Sequence, residues 1–343
     1  MVVATGKIRT MEEFSAASGI SRPTVSRYFH DPASVRAATR AQIEEALKRL
    51  NYRPNLFAVN FNRKHPKTFG MIVPSLTDPF YAELVERVEL RALRHGYWTI
   101  VLNSHGDRLM ETRALQTLMS LRVAGAIVAP LGVRSDGAAL HDLGKSLPLL
   151  LLDSRLDPRA SFVGTDNYQS VSLLVDYLHR TGEPPCYFDM PNVNRNAVDR
   201  RRAYVLAMKK WGSEPKIVPP PTQSWAFEAV GFEQANLALE AGALPSRTIL
   251  CANDRTAFGV MAAATRRGLR VSRDVNADLR VAGHDDHPLS RFATPSLTTV
   301  AQDFDHMATL AVDMLISRLK EPKKENSDKI HLLEAKLIMR DSA

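Results

Sequence analysis

Residues 11–29 read MEEFSAASGISRPTVSRYF, and the organisation of the chain follows from them. Met11, Phe14, Ala17 and Ile20 recur at helical spacing and make one apolar face. Gly19 falls where that face ends, the position at which a helix turns off. Ser21 is placed to cap a second helix, with Pro23 in its first turn, where a missing N–H does no harm. Val25 and Phe29 point back at the first helix, leaving Arg22, Thr24, Arg27 and Tyr28 outside. A helix, a tight turn and a second helix with an arginine-rich outer face have the form of a helix-turn-helix. The same spacing also suits a small helical hairpin with solvated arginines.

Charge locates this feature. Residues 1–67 hold twelve of the 45 basic and five of the 37 acidic residues, so nearly all of the +8 net charge lies there. A basic head on a near-neutral body is an electrostatic footprint for phosphates. The body is long and apolar enough for further domains, with 45% hydrophobic residues in 343. The opening MVVATGKIRT lacks a signal-peptide core, and no apolar run reaches membrane-spanning length, so a cytoplasmic protein is expected. Cys186 and Cys251 sit at strand-like positions without metal spacing and read as reduced core residues.

After the turn, Asp31, Pro32 and Ser34 form a loop. Thr39 is a candidate cap for a third helix, whose buried stripe is Ile43, Ala46, Leu47 and Leu50. Pro54 ends it. The segment NLFAVNFN at 55–62 makes two turns at most, too few to hold helix alone, and reads as a hinge before the linker His65-Pro66-Lys67.

From Phe69 the pattern becomes α/β. Apolar strands are expected at Phe69–Val73, Trp98–Leu102, Ala126–Ala129 and Leu147–Leu152, then at Cys186–Phe188, Thr248–Ala252 and Leu279–Val281. A last strand is read over Ile330–Met339. Helices fall between them: Pro79–His95, Asp166–His179, Val198–Trp211, Phe227–Leu239 and Ala257–Arg267. Continuous apolar strands alternating with helices mean parallel sheets covered on both faces. Two doubly wound lobes around a cleft fit better than one sheet, with ligands at the carboxyl ends of the strands.

Enzyme signals are weak. Residues 139–146, ALHDLGKS, miss the first glycine of a phosphate-binding loop and precede a strand instead of following one. His284-Asp285-Asp286-His287 are four adjacent residues and cannot all converge on one metal ion. Neither a catalytic constellation nor a cofactor motif is found.

The ordered set GISRPTVSR (19–27), Thr39-Arg40, LNYRPN (50–55), DPFYAEL (78–84), Asn253-Asp254, GHDD (283–286) and LTTVAQ (297–302) resembles the lac-repressor/Gal-repressor family of bacterial transcription regulators. The resemblance runs over essentially the whole chain. It implies a three-helix head at 1–54, a hinge helix and linker at 55–67, and a periplasmic-binding-protein-like core of two lobes. The first lobe takes 68–165 with about 291–321. The second takes 166–290 with about 322–343, and the chain crosses near Asp166, Ser290 and Glu321.

By position the family places Ser21, Thr24, Ser26 and Asn55 on DNA phosphates. Arg22, Pro23 and Arg27 match base-reading positions. Thr10, Thr39 and Tyr52 join them as DNA contacts, and Ala58 and Phe61 as hinge contacts, with Phe61 where a leucine wedge is usual. In the cleft the family implies Asp78, Phe80, Tyr81, Asp153, Arg200, Asn253 and Asp285 as ligand groups, with Trp225 or Phe227 to stack on a ring. Ala203 replaces the usual glycine after Arg200. The function implied is a repressor of a carbohydrate or polyol operon: a homodimer on palindromic operator DNA, with a small-molecule effector and no cofactor, metal or membrane. A purine or phosphorylated sugar is the alternative effector, and a solute-binding protein without DNA function the alternative class.

Overall fold

The computed structural model describes residues 8–54, 66–156, 160–274, 276–320 and 329–343. It divides into two compact units, Met1–Lys67 and Thr68–Ala343.

In the first unit, α1 (Met11–Ser18) opens with a capping box. The Thr10 hydroxyl accepts from Glu13 N at 3.1 Å, and the Glu13 carboxylate accepts from Arg9 N and Thr10 N at 2.7 and 3.3 Å. Gly19 ends the helix at φ 72°, a left-handed conformation that costs other residues a Cβ clash. Next come α2 (Arg22–His30) and α3 (Ala37–Arg49). Phe14, Val25, Val35, Ile43, Ala46 and Tyr52 close the core between them. Three expectations change here. Ser21 stands at the N-cap, but its hydroxyl meets the Thr24 hydroxyl at 2.8 Å and caps no backbone N–H. Thr39 lies inside the first turn of α3, which starts from Arg36 without a side-chain cap. The loop after α2 holds a short 3-10 turn, Pro32–Ser34, capped by Asp31. The hinge expected at 55–62 lies outside the described residues.

In the second unit, β1 (Thr68–Val73), β2 (Trp98–Asn103), β3 (Gly125–Val128), β4 (Leu149–Leu152), β5 (Phe162–Thr165) and β11 (Ile330–Leu333) form one parallel sheet in the order β11-β5-β4-β3-β1-β2. Alternate side chains go to opposite faces. Phe69, Met71 and Val73 pack against α4 (Pro79–Arg94) and α11 (Phe304–Lys320), while Ile72 meets α5 (Arg108–Ser120) and α6 (Gly137–Ser146) on the other side. The phosphate-loop lookalike at 139–146 is therefore ordinary helix within α6.

The other sheet, in the order β7-β6-β8-β9, is built from β6 (Cys186–Phe188), β7 (Ile217–Val218), β8 (Thr248–Cys251) and β9 (Arg280–Ala282). It is covered by α7 (Asn167–Thr181) and α8 (Arg195–Lys210) on one face and by α9 (Phe227–Glu240) and α10 (Asp254–Arg266) on the other. Cys186 and Cys251 are buried and unbridged within this lobe.

Several elements differ from the sequence reading. β2 is an edge strand with Trp98 67% exposed, because only one neighbour pairs with it. The strand read over Ile330–Met339 is two. β11 joins the first sheet, and β12 (Lys336–Ile338) runs antiparallel to β10 (Thr299–Ala301). Isolated bridges Ala282–Thr298 and Asp285–Ala301 hold β10 beside the second sheet. The backbone thus passes between the two sheets after Thr165, after Ala301 and after Leu333. α8 and α10 start at Arg195 and Asp254, three residues before their first expected positions. Asn194 and Asn253 cap them, accepting from Ala197 N at 3.2 Å and Thr256 N at 2.8 Å.

Candidate functional site

The carboxyl ends of β1, β4, β8 and β9 converge, and each delivers a polar side chain just beyond the strand: Asp78, Asp153, Asn253 and Asp285. They line a cavity of about 190 Å³ between the two sheets, shared with Phe80, Tyr81, Arg200 and Trp225. The cleft residues singled out from sequence, Phe227 among them, therefore sit around one space, Ala203 notwithstanding. Asn194, Asn196, Arg255, His287, Gln302 and Phe304 line it too and were not foreseen.

Arg200 is the hub. Buried on α8, it donates from Nε to Asn167 Oδ1 at 2.9 Å, from Nη1 to the Ala252 carbonyl at 2.8 Å and from Nη2 to Asp285 Oδ1 at 2.9 Å. The same Asp285 oxygen accepts from Gln302 Nε2 at 2.7 Å and from His284 Nδ1 at 2.8 Å. None of these three donors reaches Oδ2. Burial alone would raise this carboxylate's pKa. The charge of Arg200 and the His284 hydrogen bond outweigh it, and Asp285 ionises at about 2.

Asp153 faces the opposite balance. It accepts from Tyr81 Oη at 3.0 Å and Asn196 Nδ2 at 2.9 Å, at a left-handed φ of 64°. Burial nevertheless pushes it up to about 7 against the pull of Arg200. Asn196 in turn accepts from Asn167 at 3.0 Å, so one buried network runs from Asp153 to Asp285. Asn253 is partly committed: its Oδ1 caps α10, and its Nδ2 lies 3.5 Å from Met190 Sδ. Asp78 caps α4 through Oδ1, 3.1 Å from Phe80 N. Phe80 meets Tyr81 and Phe304 edge-on at centroid distances of 5.0 and 5.2 Å, giving the cavity an apolar wall.

The side chains of the 284–287 segment diverge. His284 turns inward to Ser170, 2.9 Å from Nε2, while His287 packs edge-on to Phe258 at 5.2 Å. Among the described residues no group of three or more His, Cys, Asp or Glu is placed to hold a metal ion.

On the head, Ser21, Arg22, Pro23, Ser26 and Arg27 are exposed along the start and outer face of α2, and Thr24 is half-buried. Arg22 pairs with Glu12 at 2.9 Å. Both side chains are exposed, so the pair is worth at most about 1 kcal/mol and exchanges readily for another partner. Thr10 caps α1, and Thr39 is half-buried. Tyr52 is only 5% exposed, and its ring stacks on Phe14 at 4.8 Å in the core of the head. Asn55, Ala58 and Phe61 lie outside the described residues.

Residues 10–55 match the bacterial regulatory proteins of the lacI family, and residues 175–343 match the periplasmic binding protein-like domain. The chain is 30% identical to the ribose operon repressor of Escherichia coli (strain K12) over 316 residues, 91% of this chain and 94% of that one. The chain belongs to the lacI family. The repressor PurR of Pasteurella multocida (strain Pm70) is 28% identical over 97% of this lacI-family chain and 98% of its own length. Among solved structures, a lac repressor dimer bound to operator and an anti-inducer superposes with a TM-score of 0.83 at 27% identity, covering 97% of this chain and 98% of that one. The relatives are repressors. No described helix of this family member is long and apolar enough to cross a membrane.

Proposed function

We propose that the chain is an effector-responsive transcriptional repressor that binds palindromic operator DNA as a homodimer. The α2 face of the head reads the operator, with Arg27 donating two parallel bonds to a guanine. The cavity senses a neutral, hydroxyl-rich molecule, a monosaccharide or polyol. The observation that carries this reading is Asp285, an ionised carboxylate whose Oδ1 holds three donors and whose Oδ2 is left to accept from a ligand hydroxyl. Asn196 and Gln302 add amides, and Phe80 and Phe304 an apolar face, the mixture a small polyol needs.

The charge arrangement disfavours a phosphorylated effector. Arg200 is spent on Asp285, and Arg255 on Asp78 and Glu228. A phosphate would have to displace a carboxylate from one of them or rely on Arg291, an exposed residue that also lines the cavity. A thermal-shift screen of sugars, polyols, sugar phosphates and purines tests this, since a ligand at a hundred times its Kd stabilises by about 2.7 kcal/mol. Stabilisation by free sugars or polyols, with an altered operator affinity, is the expected result. A response to sugar phosphates or purines alone would overturn it.

A further inference from the structure

Arg255 lies at the start of α10, in the second lobe, and its guanidinium is held from both sides of the cleft. From its own lobe, Glu228 on α9 takes a fork of two bonds, from Nε and Nη2 at 2.7 Å each. From the other lobe, Asp78 Oδ2 accepts from Nη1 at 2.9 Å. Asp78 cannot drift to meet it, because Oδ1 is fixed as the cap of α4. The contact is shielded: the Arg255 side chain is 18% and the Asp78 side chain 7% exposed. The guanidinium also lies over the Phe227 ring, 5.1 Å from its centroid, and Phe227 packs on Trp225 at 5.8 Å.

Trp225 makes a second touch across the same opening. Its indole faces Gly106, in the turn after β2 of the first lobe, where an added Cβ would come within 2.3 Å of Nε1. Trp225, Phe227, Glu228 and Arg255 thus form one strap on the second lobe that meets the first at Gly106 and Asp78.

We propose that Arg255 is a positioning residue that latches the cleft shut through Asp78, a direct contact that needs no effector to form. A fork to Glu228 aims the guanidinium, so that docking on Asp78 costs little side-chain freedom. An effector then binds by releasing this latch or by entering while it is open, and its affinity carries the cost of that opening. The proposal goes beyond the effector assignment and does not depend on it.

The test uses the full chain without effector, carrying Trp98→Phe and Trp211→Phe so that Trp225 is the single tryptophan left of three. Acrylamide quenching of Trp225 reports how often the strap lifts from Gly106. Asp78→Asn removes the charge but keeps an N-cap side chain, since asparagine caps as well as aspartate. Arg255→Gln removes the latch from the other lobe, and either variant suffices should the other fail to fold. With the pair broken, the open-to-closed ratio should rise about tenfold, and quenching with it. Quenching equal to that of the parent, in a variant whose circular dichroism is unchanged, would overturn the latch. Because no ligand enters the measurement, that result would leave the effector reading standing.

Discussion

His284 donates from Nδ1 to Oδ1 of Asp285 at 2.8 Å, although the two are neighbours in sequence. Asp285 itself takes a φ of 118°, a backbone conformation that residues with a side chain rarely adopt. Burial first, and the charge of Arg200 second, hold the pKa of His284 down to about 4, so the ring is neutral and Nδ1 carries its one proton. Nε2 is then the acceptor for Ser170, and the ring's orientation is fixed at both ends.

His284→Phe keeps the ring's bulk but removes that donor and leaves the Ser170 hydroxyl unpaired. Asp285 loses one of three restraints, and effector affinity should fall by about 1–3 kcal/mol. Calorimetry with a ligand identified in the thermal-shift screen measures it. An unchanged Kd would show that Arg200 and Gln302 orient Asp285 by themselves.

Asp153 makes a pH prediction. The unfolded chain releases its proton near pH 3.9, the folded chain only at about 7. The raised pKa gives stability that is full below about pH 3.9 and lost as pH rises through about 7. Asp254, also raised to about 7 by burial, contributes in the same direction. Asp285 runs the other way, its contribution being lost only as pH falls through about 2. Asp153→Asn should therefore lose less stability than the parent between pH 4 and pH 7, in thermal melts across that window. Parallel curves for the two proteins would place the Asp153 titration elsewhere.

On the head, Arg27→Ala should cost about 1–3 kcal/mol per operator half-site while weakening non-specific binding less. Titrations against operator and scrambled duplexes decide it. Equal losses on both would reduce Arg27 to a phosphate contact.

Phe14 is fully buried and stacked on Tyr52. Phe14→Ala should remove about 3–5 kcal/mol, enough to unfold so small a core. Because the head and the 68–343 unit are separate compact bodies, the melting of the larger unit should stay in place while operator binding disappears. A single melting transition lowered as a whole would show instead that the two unfold together.

Part of the cleft was legible because Asp153, Asn253 and Asp285 each follow closely on an apolar strand. Asp153 closes the run LPLLLLD, and Asp285 follows RVAGH. What stayed hidden was pairing across distance. Arg255 looks like any helix arginine, and its partner Asp78 lies 177 residues away. Tyr52 shows a related limit: LNYRPN says where a helix ends but not which way the ring then points, and stacking on Phe14 settles that. Strand membership was equally silent. Ile330–Leu333 and Lys336–Ile338 read as one apolar stretch, yet Glu334 and Ala335 separate strands of different sheets. The sequence reading also started α8 and α10 at their first apolar residues, whereas asparagine caps open them a turn earlier.

The three passages of the backbone between the sheets, after Thr165, Ala301 and Leu333, have a bearing on how such a protein can be altered by recombination. A single breakpoint anywhere between β1 and β12 mixes strands from two parents within one sheet, and exchanging one lobe cleanly needs three junctions at once. The join at Lys67–Thr68 needs one. Gene shuffling should therefore trade reading heads freely among sensors, while each sensor passes from parent to offspring whole.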